Sequence, residues 1–95
     1  MFARVTRYKL KPGAREAAIA QMETMKSDIM GLPGMQHFIN VANEDGNGYV
    51  VAIVESRQIS DSNADKVAAL WGRMSEHLAE KPTAEGYDVG ANWSN

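Results

Sequence analysis

Three side chains of this 95-residue sequence could take part in acid–base or anion-binding chemistry. His77 lies at the shoulder of the apolar stripe of a predicted helix, where an imidazole could act as a general base or contact an oxyanion. Arg4 lies in a predicted strand, where a buried guanidinium requires a partner, either Glu55 or an oxygen of a ligand. His37 lies in a second predicted strand between apolar neighbours, which favours a core or interface position. Arg4 and His77 are therefore the candidate catalytic residues.

Composition excludes or disfavours several kinds of site. The sequence has no Cys, which excludes a disulfide-stapled scaffold, a Cys-ligated zinc site, an iron–sulfur cluster and thiol catalysis. The two histidines have no ligand-type spacing, so no metal site is predicted. The glycine-containing stretches 31–34 and 46–48 lack the strand-to-helix context of a phosphate loop. The net charge of -2 argues against general nucleic-acid binding.

The charge is distributed unevenly along the chain. Residues 1–15 carry five basic side chains and no acidic one, which gives them a formal charge of +5. The remaining residues carry -7, and the whole chain therefore carries -2. This basic segment is either the solvated edge of a strand or a positive rim for an anionic or carbonyl-rich ligand.

Length and composition predict a single globular domain over residues 1–95. A hydrophobic content of 44% and a charged content of 23% are ordinary values for a folded domain. The longest apolar runs are about six residues, which is far too short to span a bilayer. No apolar segment typical of a secretory signal follows the N-terminus, so we expect a cytoplasmic protein without membrane contact.

The hydrophobic periodicity predicts four strands and two helices. The strands are expected at 2–10, 35–42, 49–57 and 83–93, and the helices at 14–30 and from about 62 to 80, with a short polar connection at 58–62. Asp-Gly and Asn-Gly pairs between the second and third strands indicate a hairpin. The order is that of the ferredoxin-like βαββαβ pattern, an α+β fold with a four-stranded antiparallel sheet and both helices on one face.

The second and third predicted strands are apolar on both faces. In an antiparallel sheet covered by helices on one side only, the other face should be polar. A second copy of the sheet is the simplest cover for an apolar face, so we expect a two-fold homodimer.

Two of these elements position the candidate site residues. In the first strand, Arg4, Thr6 and Tyr8 have the same parity and therefore share one face of the sheet. In the second helix, Trp71 lies near the middle of the apolar stripe, which indicates either a core or pocket-wall position or a direct ligand contact.

The order and spacing of several short motifs resemble the dimeric α+β barrel superfamily, and most of all its antibiotic biosynthesis monooxygenase branch. The motifs are Lys11-Pro12-Gly13 after the first strand, Gly31-Leu32-Pro33-Gly34 after the first helix, the Asp-Gly hairpin, Val54-Glu55-Ser56, and the stretch from Trp71 to His77. The resemblance covers nearly the whole chain. It implies a dimer in which two sheets face each other, and a ligand pocket in each subunit between the sheet and the helices. It also implies that the face with Arg4, Thr6 and Tyr8 points toward the helices.

The same resemblance implies a function. Members of this superfamily include cofactor-free monooxygenases acting on aromatic quinols, haem-degrading enzymes, and lactone isomerases or dehydratases. The chain is therefore expected to be a small cofactor-independent monooxygenase, or a related isomerase, for an aromatic, polyketide-like or quinol substrate. Arg4 would pair with the substrate anion and His77 would act as a base or orienting group. Thr6, Tyr8 and Trp71 would bind the substrate.

Two alternatives to this function stay open. The first is a non-catalytic dimeric module that binds a small molecule. The second is haem binding or degradation, which ranks below both because Thr6 stands where the haem-degrading branch has Asn.

Overall fold

The computed structural model describes all residues from 1 to 95 and contains one antiparallel sheet with helices on one face. Its elements are β1 (Phe2–Lys9), α1 (Arg15–Thr24), α2 (Lys26–Met30), β2 (Met35–Ala42), β3 (Asn47–Val54), α3 (Arg57–Ser62), α4 (Ala64–Arg73), a 3₁₀ helix at Ser75–His77, and β4 (Thr83–Asp88). The strand order is β2-β3-β1-β4, so the predicted ferredoxin-like α+β fold is confirmed. None of the helices is both long enough and apolar enough to cross a membrane.

The first predicted helix is interrupted at Met25. The N–H of Met25 donates to the carbonyl oxygen of Met22 at 3.0 Å, a three-residue spacing that tightens the turn between α1 and α2. No Gly or Pro is present at this point, so the sequence gives no local signal for a break. The tighter turn keeps Ala18, Met25 and Ile29 in one buried cluster, in which each is at most 6% exposed.

The second helical region begins earlier and ends sooner than predicted. Residues 58–62, expected to be a loop, belong to α3, whose first turn is capped by the Ser56 hydroxyl oxygen accepting from the N–H of Ile59 at 3.2 Å. The buried Asn63 separates α3 from α4 and donates its side-chain N–H to the Pro33 carbonyl at 2.9 Å. The helix predicted to continue to residue 80 stops at Arg73 and is followed by the 3₁₀ turn.

The last strand is shorter than its alternating pattern indicated. It ends at Asp88 rather than at residue 93, and Trp93 is 92% exposed. A strand needs a neighbouring strand to pair with. β4 pairs with β1, and β1 begins at Phe2, which lies opposite Asp88. The alternation beyond residue 88 has no strand of this chain to pair with.

The two faces of the sheet differ in what covers them. On the helix face, Phe2, Thr6, Tyr8 and Leu10 are all buried, as the parity of β1 predicted. The other face, which we call the open face, has three cross-strand rows: His37–Ile53–Ala3–Tyr87, Ile39–Val51–Val5–Glu85 and Val41–Tyr49–Arg7–Thr83. Most of these side chains are apolar and no part of the chain packs over them, so the predicted apolar second face is present.

Candidate functional site

A narrow cavity lies between the helix face of the sheet and the helices α1, α2 and α4. We call it the inner cavity. Its walls leave about 60 Å³ in which the centre of a water molecule could move. Twelve of its fourteen lining residues are hydrophobic, and Arg4 and Thr6 are the two polar ones. The twelve are Met22, Met25, Ile29, Leu32, Met35, Phe38, Val50, Ala52, Val67, Leu70, Trp71 and Met74. The apolar lining with few polar groups is that of a small-molecule site, but such sites usually measure roughly 300–1,000 Å³. A ligand of two or three rings must therefore displace side chains or extend beyond the inner cavity.

Arg4 is the single charged group of the inner cavity, and it has no partner. Its Nε is buried without a hydrogen bond, and its guanidinium forms no ion pair within the chain. The residues opposite it on the neighbouring strands are Ala52 and Gly86, which offer no acceptor side chain. Glu55 is exposed, so the pairing considered from the sequence does not form. A buried donor left without an acceptor costs about 1–3 kcal/mol, which an oxygen of a ligand would recover.

The inner cavity adjoins a second space on the side of β4. Arg4, Thr6, Val67 and Trp71 line both the inner cavity and an outer depression that we call the β4-side mouth. The outer wall of this mouth is formed by residues of the segment after α4 and by β4, among them Ser75, Glu80, Lys81, Pro82 and Ala84. The four shared residues therefore stand at the threshold that an entering molecule would pass.

Tyr8 packs against Trp71, one of the residues at this threshold. Its ring is 5.6 Å from the Trp71 ring between centroids, at an angle of 49°. Its hydroxyl donates to Asn40 Oδ1 at 2.5 Å and lies 3.2 Å from the Val41 carbonyl oxygen. Burial raises the pKa of the Tyr8 hydroxyl, while the hydrogen bond with Asn40 and the charge of Arg15 act in the opposite direction. Tyr8 lines neither the inner cavity nor the mouth, so it positions Trp71 rather than the ligand.

His77 lies in a polar cluster outside both spaces. Its Nε2 is 2.6 Å from Gln21 Oε1 and 3.6 Å from Glu76 Oε1. The side-chain nitrogen of Gln21 donates to the carbonyl oxygen of Arg73 at 2.5 Å, so its Oε1 is free to accept from the His77 ring. His77 thus ties α1 to the segment after α4. Its predicted catalytic role stays a prediction, and the structure does not bring it to the inner cavity.

The structure therefore gathers part of the predicted site. Arg4, Thr6 and Trp71 meet at one threshold, while Tyr8 stands behind it and His77 lies apart. The methionine-rich character of the inner cavity was missed, because Met22 and Met25 fit the helix stripe as ordinary core residues. Met35 follows a turn and belongs to no helical pattern, so the sequence does not indicate that it lines a cavity.

Comparisons with known proteins find likeness at the level of structure. No protein-family model matches the sequence, and no curated protein matches it. A protein of unknown function from Nitrosomonas europaea superposes with a TM-score of 0.81 at 16% identity, over 99% of this chain and 93% of the other. A candidate antibiotic biosynthesis monooxygenase from the same organism gives 0.77 at 15% identity, over 96% of this chain and 100% of the other. The monooxygenase from the gene ActVA-Orf6 of Streptomyces coelicolor, solved with the ligand nanaomycin D, gives 0.75 at 21% identity, over 99% and 92%.

The chain has the antibiotic biosynthesis monooxygenase fold. The resemblance noted from the sequence motifs is thereby confirmed at the level of architecture. Proteins of unknown function share the antibiotic biosynthesis monooxygenase fold with monooxygenases, and a shared fold does not carry a shared reaction. The chemistry must therefore be argued from the inner cavity and its threshold.

Proposed function

We propose that this protein binds a planar aromatic molecule in the inner cavity, with an anionic or ionisable oxygen of that molecule on Arg4. The observation that carries the proposal is a buried guanidinium nitrogen without a partner at the threshold of an otherwise apolar cavity. A phenolate or enolate oxygen would give it a charge-assisted hydrogen bond. The apolar walls suit flat rings, and Trp71 offers an indole surface beside the same threshold.

The reaction that suits this site is oxygenation of an aromatic, polyketide-like or quinol substrate without a bound cofactor. Such a substrate reacts with dioxygen as its electron-rich anion, so the protein must favour the deprotonated form and keep water away. Arg4 stabilises the anion, and the hydrophobic walls exclude water from it. One atom of dioxygen forms a bond to a ring carbon in place of a C–H bond. The other atom leaves as water, with that hydrogen and the hydroxyl proton of the substrate, and the substrate supplies the four electrons. The fold shared with monooxygenases supports this reaction class.

A non-catalytic binding module is the second candidate, and one observation favours it. Neither histidine, and no carboxylate, lines the inner cavity, so the site has no general base of its own. If the substrate binds already ionised, Arg4 alone is sufficient for catalysis; if it does not, the site only binds it. Because no histidine lines the cavity, it also offers no histidine ligand for a haem iron.

The decisive experiment measures binding and oxygen uptake together. Anthrone-type tricyclic phenols and naphthoquinols are titrated against the protein by quenching of Trp71 fluorescence, in a Trp93→Phe background that removes the exposed second indole. Arg4→Ala is expected to lower kcat/KM about 100-fold, the effect of removing a donor to a transition-state anion. Arg4→Lys should recover part of the loss. Arg57→Ala, an exposed arginine on α3 outside both spaces, is the matched control.

The outcomes separate the candidates. Saturable binding with Arg4-dependent oxygen uptake supports the monooxygenase, and Arg4-dependent binding without uptake supports the module. Equal binding and turnover by Arg4→Ala and the unaltered protein would refute both. His77→Gln tests the predicted catalytic histidine: a positioning role through Gln21 predicts a small change in kcat, whereas a base predicts loss of the acidic limb of the pH profile.

We also propose that the open face is covered by a second copy of the chain. Ile39, Val41, Tyr49 and Tyr87 are each about half exposed there, although apolar cross-strand rows of this kind are normally buried. A two-fold pair of open faces would bury the same rows on both subunits. The resemblance of the sequence motifs to the dimeric α+β barrel superfamily implies the same arrangement.

Sedimentation velocity at micromolar concentration tests the homodimer. Val51→Glu places a charge in the central row of the open face and is expected to give a monomer with an unchanged circular dichroism spectrum. Ala69→Glu, on the exposed surface of α4, is the matched control and should stay dimeric. A monomeric unaltered protein would refute the proposal.

A further inference from the structure

The inner cavity has a second neighbour on the side opposite the β4-side mouth. A groove lies between α1, α2 and the edge strand β2, and we call it the β2-side groove. Met22, Ile29 and Phe38 line both the groove and the inner cavity. Because β2 and β4 are the two edges of the sheet, the three spaces form one line across its helix face. Only the shared side chains separate the inner cavity from the groove.

Met22 is the movable part of this partition. It borders the inner cavity, the β2-side groove and a small void beside Tyr8, so it has empty space on three sides. A methionine side chain is unbranched and turns about three bonds, whereas Ile29 is branched at Cβ and Phe38 is a rigid ring. Rotation of Met22 would therefore join the groove to the inner cavity with little cost in packing.

The β2-side groove, on the far side of the partition, is amphipathic and carries a small net positive charge. Its apolar floor includes Ile19 and Met30, both of them exposed, while Arg15 and Lys26 stand at the rim against the single acid Glu23. These two cations form no ion pair within the chain. A flexible apolar segment fits the floor, and an acidic end group fits the rim.

The span across the partition is short. Phe38 and Arg4 lie in the same cross-strand row, with Ala52 between them. Two strand spacings separate them, which is about 10 Å. A ring held by Arg4 in the inner cavity would therefore need only a short aliphatic chain to pass Met22 and reach the β2-side groove.

From this arrangement we propose that the site takes an elongated amphipathic ligand. Its ring lies in the inner cavity beside Arg4, its aliphatic tail passes Met22, and a carboxylate at the end of the tail lies between Arg15 and Lys26. The inference rests on the proposed function for the position of the ring. It adds a second opening, a gate residue and the chemistry of the tail, which makes Met22 a determinant of ligand length.

Two fluorescent probes test the proposal. Dansylamide has the ring system without a tail, and dansylaminoundecanoic acid adds an aliphatic chain that ends in a carboxylate. We expect the tailed probe to bind the full chain about tenfold more tightly than dansylamide, and its methyl ester to lose most of that advantage. Energy transfer from Trp71 to the dansyl group, in the Trp93→Phe background, reports that the ring occupies the inner cavity.

Variants of the protein test where each part of the tailed probe binds. Met22→Phe, which replaces the flexible gate with a ring, and the double change Arg15→Glu with Lys26→Glu should each remove the advantage of the tail. The double charge change should leave dansylamide affinity unchanged. Met22 also lines the inner cavity, so Met22→Phe is judged by the ratio of the two probe affinities. Thr24→Phe is the control for the gate, and Arg57→Glu with Lys66→Glu is the control for charge. All three control positions are exposed, and none of them lines a cavity.

The readouts distinguish failure of this inference from failure of the proposed function. If dansylamide binds in an Arg4-dependent way but the tail adds nothing, or if the gate and charge variants leave the advantage intact, the second opening is refuted while the proposed function stands. If neither probe binds, or Arg4→Ala has no effect on either, the tailed ligand is refuted, and the titrations with phenols and naphthoquinols decide the proposed function separately.

Discussion

Replacing Gly48 with Ala is expected to displace Tyr8, and with it the support of Trp71. Gly48 lies directly opposite Tyr8 in the sheet, and the tyrosine ring lies over the glycine. A Cβ added at Gly48 would lie 2.5 Å from the Tyr8 hydroxyl oxygen and closer still to the ring, and 2.6 Å from the backbone carbonyl oxygen of Val41. Real Cβ atoms do not approach neighbours below 3.0 Å, so the ring must leave its position.

The magnitude follows from what the displaced ring loses. Forcing an extra carbon into a packed core costs about 1–3 kcal/mol. Breaking the hydrogen bond from the Tyr8 hydroxyl to Asn40 adds about 1 kcal/mol. The lower entropy of an unfolded chain with Ala in place of Gly offsets at most about 1 kcal/mol. The net loss in the free energy of unfolding is therefore about 1–4 kcal/mol, set against the roughly 5–15 kcal/mol that a domain has.

Urea denaturation followed by Trp71 fluorescence, in the Trp93→Phe background, measures the change. All variants are compared at one protein concentration, because a dimer couples stability to concentration. Gly72→Ala in α4 is the matched control: no atom lies within 4 Å of its added Cβ, so it should be neutral or stabilising by up to about 1 kcal/mol. The reasoning is refuted if Gly48→Ala stays within about 0.5 kcal/mol of the unaltered protein. In a Tyr8→Ala background only the contact with the Val41 carbonyl oxygen remains, so the loss should be smaller; an undiminished loss would refute displacement of Tyr8 as its main cause.

Three further predictions concern the sheet, the helix caps and pH. Gly86→Ala would push its Cβ into the Phe2 ring, and a loss of about 1–3 kcal/mol by urea denaturation is expected; an unchanged midpoint would contradict the contact. Ser56→Ala removes the cap of α3 and should cost about 0.5–2 kcal/mol, whereas Ser56→Thr should keep most of the stability. Because burial raises the pKa of Tyr8 above its ordinary value of 10.0, its contribution to stability is present below pH 10 and is lost as the pH rises through the raised value. Tyr8→Phe should therefore show a smaller loss of stability between pH 9 and 12 than the unaltered protein, and equal losses would contradict a buried Tyr8.

The order of elements and the face of β1 could be predicted because both depend on local patterns. Strict alternation in β1 assigns Arg4, Thr6 and Tyr8 to one face whatever the rest of the chain does. The turn at Asp45-Gly46 needs a left-handed residue, and Gly46 has φ of +84°. These signals lie within a few residues of the structure that they determine.

The predictions that were wrong concern features that depend on contacts between residues far apart in the sequence. The break at Met25 comes from packing of α1 and α2 on the sheet, and the sequence around it is an ordinary helix pattern. Asn63 ends α3 because its side chain reaches Pro33, thirty residues away. His77 lies in the 3₁₀ turn after α4 rather than on the helix itself, and the pattern could not tell that Gln21 of α1 contacts its imidazole. The absence of a partner for Arg4 likewise needs the register of both neighbouring strands.

The division of the inner cavity between the sheet and the helices has a consequence for how this protein could evolve. Arg4 and Thr6 belong to β1, a central strand fixed by pairing on both sides, so their positions change little when other residues mutate. The opposite wall comes from the helices and their junctions, and methionine there tolerates exchange for other apolar side chains. New ligands could thus be acquired by replacing helix residues while the anion-binding group stays in place. Libraries randomised at Met22, Met25 and Leu70 should yield altered selectivity far more often than libraries randomised in β1.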